Sequence, residues 1–564
     1  MKLSRIIGIM LMLSAPLSFA QQPEDEENLL DEIVVTATRI ATPLADTLPS
    51  TQVITTEEIE RLKPRDLGDL LSRKSGLTFS DRGGRGSSGS IFLRGSNSDQ
   101  LIFLIDGVRT ASATLGGTAI QRIPLESIER IEIVKGPMSG VYGANAIGGV
   151  IQIFTKQYHD IGSFAIIEGT AGSNRFRQFT AQAGYGDDGY NVSVSLSKES
   201  TEGIDRTAFK GGGNEDRDGF EQSVRNFSFA TSLQDRLDLR ISHVRSSGRV
   251  EYDNTSTFGS SSRANIGEDW HSRTKLETTS ARIDYDHSEK LSISGILGAA
   301  TDFYRDIKLD HTTADSRITH FETKKTDFSI QANLNLSAQN RLSLGVDYQK
   351  DKVDSTTDYD VKKRDNKGVF ALWQRRGEQS STVINARYDK NDVFGSVSNY
   401  SIQQSYDISD QFQLVASYGT AFKAPTFNDL FWPDVGNPDL MPEESKSAEL
   451  SLRANYGDLF WQVNAYQTKV TNLIAWAPIP NDPDNRRQPS NINNATMKGI
   501  EFDLTSEWND YIFNTSMEYL DAQDDNTGRF LDGRARASAS FELGRQIDNL
   551  YIGANAYFEH ARFD

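Results

Sequence analysis

From Tyr158 onward, apolar and polar residues alternate with a period of two. In Phe328–Leu336 the residues Phe328, Ile330, Ala332, Leu334 and Leu336 fall on one face, and Ser329, Gln331, Asn333 and Asn335 on the other. After a short turn at Ala338–Asn340 the pattern resumes with Leu342, Leu344, Val346 and Tyr348. Tyr190–Leu196, Leu237–Ile241, Phe412–Tyr418 and Tyr511–Tyr519 repeat it. Strands with an aliphatic face opposed to a Ser/Asn/Gln face fit lipid on one side and a wet or filled lumen on the other. A soluble sandwich also alternates, but strands this numerous, with aromatic ends, favour a barrel. Tyr348, Trp373, Tyr418, Trp461, Tyr466 and Tyr519 are placed to form interface girdles. In lipid such a sheet must close, because an open edge leaves backbone groups unpaired.

The preceding segment has a different texture. Leu101–Ile105 and Ile128–Val134 are short apolar runs, followed by Asp106-Gly107 and by Lys135-Gly136-Pro137. With the β-branched, Gly-rich Gly148–Thr155, they predict a small α/β unit with tight turns. Thr55 and Glu58 form a capping-box-like start for a helix that ends before Pro64, and Leu67, Leu70 and Leu71 mark a second short helix. Asp81–Gly89 and Ala111–Thr118 are Gly/Ser-rich loops. They are not phosphate cradles: no Lys-Ser/Thr follows and no helix opens there.

Composition narrows the class. The chain has 564 residues, a net charge of −18 and no Cys, so disulfides, thiol chemistry and Cys-ligated metals are excluded. The acidic balance argues against nucleic acid as a partner. Past the N-terminus no apolar run is long enough for a membrane helix, a test that a β-barrel escapes. Met1–Ala20 has the basic, apolar and small-residue regions of a secretory signal, with Lys2 and Arg5, Ile6–Leu13 and Ser18-Phe19-Ala20. The expected organisation is a signal peptide over 1–20, a flexible acidic leader over 21–43, a plug over 44–156 and a barrel over 157–564. Within the leader, Asp31, Glu32, Ile33, Val34, Val35, Thr36, Ala37, Thr38 and Arg39 form a short β-branched segment behind an acidic front. It can add as an edge strand to another protein's sheet, or serve as the plug's own first strand.

These stretches carry a family resemblance. DEIVVTATR resembles the TonB box of TonB-dependent outer-membrane receptors, and IFLRG, LIDGVR and IERIEIVKGPMSGVYGANAIGGVIQI resemble the plug motifs of that family. Tyr418–Glu449 and NATMKGIEF at Asn494–Phe502 resemble its barrel motifs, in family order. The resemblance implies a membrane β-barrel of ~22 antiparallel strands with an N-terminal α/β plug in its lumen, seated in the outer membrane of a Gram-negative bacterium. By that comparison the C-terminal strands, roughly three of them, are expected to be missing, since the chain stops at Phe563-Asp564. The implied activity is energy-coupled import, with TonB and its inner-membrane energising complex as partner. Within the family the compact plug and short leader look most like the cobalamin-receptor branch, with cobalamin or another corrinoid as substrate. A ferric-siderophore or haem receptor is the alternative, and a passive porin or adhesin-like barrel the alternative from another class. On the same resemblance Arg85, Ser87, Leu115 and Gly116, in the two Gly/Ser-rich loops, are the expected substrate contacts.

Glu202–Phe220 is an acidic loop in which Asp216-x-Asp218-Gly219 places two carboxylates in a Gly-containing turn, with Asp205 across it. Oxygen-rich clusters on flexible loops suit calcium; solvated charge is the other reading of the residues alone. Resemblance to the cobalamin-receptor branch implies a calcium site from Asp205, Asp216, Asp218 and Asp253, with Asp269 at a shifted spacing. The seven His are scattered, and no nucleophile elbow or paired-carboxylate frame is present, so no catalytic residue and no catalytic cofactor is expected. Arg94, Arg109, Arg130 and Lys135 of the plug are costly to bury unpaired and are expected to meet Asp/Glu on the inner wall.

Overall fold

Two concentric parts make up the computed structural model, a mixed α/β plug and a strand wall around it. The structure describes residues 34–562 apart from 37–38, 82, 159–161, 188, 206–216, 235, 255–267, 309–317, 480–481, 483, 485 and 549.

The plug begins with β1 (Val34–Val35) paired antiparallel to β2 (Thr42–Pro43). Its main sheet has five strands: β3 (Thr51–Thr55), β8 (Ile128–Lys135), β9 (Gly149–Thr155), β6 (Leu101–Ile105) and β7 (Val108–Arg109), in that spatial order. β6 and β9 run parallel and are buried on both faces, as their unbroken apolar sequence requires. β4 (Leu77–Asp81) and β5 (Gly89–Leu93) form a separate hairpin. Helix α1 (Thr56–Leu62) starts where its cap predicts, with Thr55 Oγ1 accepting from Glu58 N at 3.3 Å. The Glu58 carboxylate pairs with Lys74 at 2.6 Å. Lys63, left-handed at φ 45°, ends the helix before Pro64. Helix α2 (Leu67–Ser72) puts Leu67, Leu70 and Leu71 into the main core with Ile54, Leu77, Leu93, Phe103, Ile131 and Ile151. Each such side chain contributes about 1.5–3 kcal/mol on burial, which fixes the plug as a body with its own core. A third helix, α3 (Ser139–Tyr142), lies against the wall.

The wall is one antiparallel sheet of 19 strands, β10 (Gly162–Ala171) to β28 (Leu550–Glu559), each paired with the next. Its two end strands do not pair with one another among the described residues. All five stretches singled out for alternation fall within strands. In β17 (Ile318–Ser337), Phe328 and Ile330 are exposed outward, while Asp327, Ser329 and Gln331 line the cavities against the plug. Connections at one end are short turns such as 338–339; at the other most are longer, as between Lys423 and Glu443. No helix is long and apolar enough to cross a membrane among the described residues, which says nothing against crossing by strands.

One expected girdle residue is misplaced. Tyr348, Trp373, Tyr418, Trp461 and Tyr519 share the parity of the lipid-facing residues, but Tyr466 does not. Its phenol is buried in the lumen and donates to Glu518 at 3.0 Å, with the Arg94 guanidinium 4.4 Å above its ring. Parity within β24 (Leu459–Pro478) decides this: Ala465 and Gln467 point out, so Tyr466 points in.

Candidate functional site

The N-terminal segment is docked under the plug at the short-turn end of the wall. Val35 is buried among Ile102, Leu104, Val134 and Met138, and Thr36 N donates to the buried Glu132 carboxylate at 2.7 Å. Arg39 closes the segment. Its guanidinium makes a two-pronged pair with Asp347 of β18 (Asn340–Ser355) at 2.9 and 3.0 Å, between the rings of Tyr142 and Phe370. Asp347 also accepts from Arg387, which pairs in turn with Asp389. Arg39 sits at φ 67°, a left-handed conformation that costs a non-Gly residue about 1–3 kcal/mol. The side-chain contacts offset that strain, so the docked form depends on them.

A second buried ion cluster seats the plug. Arg94, at the turn after β5, donates to Glu501 at 2.8 and 2.9 Å and to Glu449 at 2.5 Å. Lys135, at the end of β8, reaches Glu501 at 3.1 Å and Ser75 at 2.6 Å, and Ser75 donates to Asp503 at 2.8 Å. Burial lowers the Arg94 pKa, but Glu449 and Glu501 outweigh it and hold the guanidinium well above its ordinary value. Arg94 also has a positive φ, 52°. Arg94, Lys135, Glu449 and Glu501 come from four of the sequence motifs: IFLRG and IERIEIVKG on the plug, the stretch ending at Glu449 and NATMKGIEF on the wall.

The other two plug cations differ from expectation. Arg130 pairs with Glu129 and Glu132 of the plug itself, on β8 where that strand is paired with β3. Arg109 takes two plug carbonyls, of Tyr142 and Ala144, and only its backbone N–H meets Asp327 of the wall, at 3.2 Å. Burial drops its pKa below the ordinary guanidinium value; Asp327 opposes the drop, and Arg387 and Arg39 add to it. Two cavities of about 80 and 50 Å³ meet at Arg109 and Asp327. The first reaches Thr36 and Arg39; the second reaches Asp351 and Arg364.

At the long-loop end the structure separates the four expected substrate contacts. Leu115 is 71% exposed at the tip of its loop. Gly116 holds that tip at φ 82°, where a Cβ would lie 2.7 Å from Asp99 and 3.1 Å from Thr426, so only Gly fits. Beside them Phe321 and Trp432 stack at the mouth over the buried Tyr359 and Phe427, and Phe427 N donates to Ala113 O of the same plug loop at 3.0 Å. Arg85 and Ser87 are engaged instead in holding their loop. Arg85 pairs with Glu199 at 2.7 Å and stacks on Phe176, and the buried Ser87 hydroxyl donates to Gly83 O.

The acidic loops are neighbours, because β13 (Asp218–Leu233) pairs with β14 (Leu237–Asn254). Asp205 and Asp218 flank the first loop, and Asp218 is buried. Asp253 and Asp269 are directly paired positions at the base of the second. Asp216 lies outside the described residues, as do Asp31, Glu32, Ile33, Ala37 and Thr38 of the N-terminal segment. Among the described residues no group of three or more His, Cys, Asp or Glu that could hold a metal ion converges.

Sequence reasoning missed Asp347, Glu449 and Glu501. Glu501 had a signal: a carboxylate inside NATMKGIEF at an inward-facing position of β25 (Arg487–Trp508).

Residues 157–562 match the family model "TonB dependent receptor-like, beta-barrel", and residues 43–150 the model "TonB-dependent Receptor Plug Domain". The chain belongs to the TonB-dependent receptor family. TonB-dependent receptors are transporters of the Gram-negative outer membrane, not enzymes, and they work with TonB. The docked residues 34–36 and 39 fall in the segment expected to be the TonB box, and the long-loop end is the extracellular one in outer-membrane barrels. Similar proteins include the vitamin B12 transporter BtuB of Photobacterium profundum, 30% identical over 96% of this chain and 86% of its own. BtuB of Vibrio vulnificus (strain YJ016) is 29% identical over 100% and 90%. Among solved structures, the siderophore receptor PirA from Acinetobacter baumannii superposes with a TM-score of 0.76 at 18% identity, covering 90% of this chain and 87% of its own. The FrpB iron transporter from Neisseria meningitidis does so at 0.76 and 14%, covering 90% and 87%. At those identities the structural likeness speaks for the fold alone.

Proposed function

We propose that this TonB-dependent receptor imports cobalamin or a closely related corrinoid. The observation that carries the reading is the likeness to vitamin B12 transporters across nearly the whole chain, plug and wall together. The mouth is compatible with it: an exposed Leu115 on a stiff glycine tip beside an aromatic group offers apolar contact to a large ring system. Calcium belongs to the same proposal, held between the 205–217 and 255–267 loops with Asp205, Asp216, Asp218, Asp253 and Asp269 as oxygen donors. These positions flank loops carried by neighbouring paired strands, within reach of one another for a hard cation to draw together. TonB would pair with the box as an added strand once the Arg39 contacts release it.

The test is equilibrium binding of labelled cyanocobalamin to outer membranes containing the protein. Saturable binding that unlabelled cobalamin displaces is the expected result. Absence of binding, with retention of a ferric siderophore instead, would overturn the substrate and leave the transporter in place.

A further inference from the structure

Residues 40–50 connect the docked N-terminal segment to β3, the edge strand of the plug sheet. The first half of this connection is held lightly. A cavity of about 40 Å³ lies between Ile40, Thr42 and Asp46 on one side and Leu372, Val383 and Gln403 of the wall on the other. Asp46 pairs with Arg376 of β19 (Lys363–Arg376) at 2.8 Å, but the two side chains are 41% and 50% exposed, so water weakens the pair. The second half is gripped by one side chain. Arg453, at an inward-facing position near the end of β23 (Glu443–Asn455), is buried. Its guanidinium donates to three consecutive carbonyls: Thr47 at 2.6 Å, Leu48 at 2.9 Å and Pro49 at 3.1 Å. Thr47 and Leu48 are themselves buried.

A buried guanidinium is costly unless its N–H groups are met, and here backbone oxygens meet them. The planar fork fixes the directions of its donors, so three adjacent peptide units are held at one point. Pro49, with φ fixed by its ring, keeps the last of them stiff. Immediately beyond, the chain is tied to the core. Ser50 O accepts from Lys135 N at 2.9 Å, Gln52 Nε2 donates to Asp503 of the wall at 2.8 Å, and Thr51–Thr55 pair with Val134–Arg130 of β8. A pull applied at the N-terminal end meets these contacts in chain order. Thr36 to Glu132, Arg39 to Asp347 and Asp46 to Arg376 each anchor a single residue and yield one at a time. At Arg453 three charge-assisted bonds share the load and have to fail together. We propose that Arg453 is a mechanical stop, which lets a modest pull free residues 34–46 and then halts it, so that only a larger pull reaches β3 and the plug sheet. Release of the N-terminal segment and disruption of the plug thereby become separate steps. The proposal rests on the reading that a partner pulls on this segment.

The chain has no Cys, so Val34→Cys gives a single attachment point. The full receptor, assembled in a supported bilayer, would be pulled from the periplasmic side through that thiol at constant load. With Arg453 in place it should gain about 45 Å of contour length as residues 34–46 come free, at roughly 3.4 Å per residue, and then dwell before any further step. Arg453→Met keeps the apolar stem and removes the donors; its dwell should shorten at least about tenfold, with lengthening running on into β3. Arg453→Lys, which keeps the charge but not the fork, should fall between. Arg376→Met acts upstream and should leave the dwell as it is. Lengthening past that point without a dwell, with Arg453 in place, would overturn the proposal whether or not the variants assemble. An unchanged dwell in assembled Arg453→Met does the same; if that variant does not assemble, an unchanged dwell in Arg453→Lys decides equally. Because the instrument supplies the pull, uptake that survives loss of the N-terminal segment would remove the pulling partner and leave the stop standing.

Discussion

Two arginines in left-handed backbone, Arg39 and Arg94, hold the two contacts that a transport cycle has to treat differently. Arg39 keeps the N-terminal segment, proposed above as the TonB box, docked through one carboxylate that has a second cation, Arg387, at hand. Arg39→Ala therefore leaves Asp347 compensated and removes about 2 kcal/mol of charged hydrogen bonding from the docked form. That is roughly a thirty-fold shift toward the released box, read as narrowing of the spectrum of a spin label placed at Val34. An unchanged spectrum would mean that Val35 burial alone retains the box. Arg94 and Lys135 converge on the fully buried Glu501. Glu501→Gln strips both of their common counter-charge, leaving Glu449 for Arg94, and Ser75 with the Asp503 carboxylate at 3.9 Å for Lys135. Breaking a buried pair costs about 3–5 kcal/mol. Amides of β5 and β6 should lose protection from hydrogen exchange while those of the wall keep theirs. Equal loss in both would show that the cluster stabilises the whole molecule and not the seating of the plug.

At the scale of elements, the N-terminal segment is a short strand with a dual use. β1 spends its pairing on β2 within this chain, and the same backbone groups are what a partner strand would take. Deleting residues 31–39 should leave cobalamin binding intact and abolish uptake, measured as retention by membranes against accumulation in cells. Uptake that survives the deletion would end the coupling role of the box. Elements of this kind were legible in the sequence because their signals are local. The two-residue period located strands such as β17, the apolar runs located β6 and β8, and Thr55 with Pro64 bracketed α1. What the sequence could not supply is pairing at long range. Arg94 and Glu501 lie more than four hundred positions apart, and nothing near Arg130 signals that its acids are its own neighbours, Glu129 and Glu132. Tyr466 illustrates a subtler limit: aromatic character was read correctly, but a one-residue difference in parity put the ring inside. The nominated loops were found, yet the division of labour within them, Leu115 exposed and Arg85 tied to Glu199, depends on which wall strand stands opposite.

For the whole molecule the question is how an event at the mouth reaches the box at the other end. The plug connects them as one packed body: Ala113 touches the aromatic mouth, Arg109 sits between two cavities in mid-lumen, and Tyr142 stacks on Arg39. Substrate capture that shifts the 111–118 loop thus acts on a sheet that packs against Val35 of the N-terminal segment through β6, β8 and β9, and the order of the extracellular loops sets how firmly substrate presses on it. If calcium ties the 205–217 and 255–267 loops, its removal should weaken substrate affinity without altering the box contacts. Cyanocobalamin affinity is expected to fall about tenfold or more in excess chelator, the weight of one lost ordering interaction of roughly 1.4 kcal/mol, and to return on adding calcium but not magnesium, which demands a tighter octahedron. Asp218→Asn should reproduce the chelated affinity and abolish the response to calcium. The spin label at Val34 should read the same with and without chelator while substrate is absent. Affinity indifferent to chelator would sink the calcium role and leave the aromatic mouth and Leu115 to order the substrate by themselves.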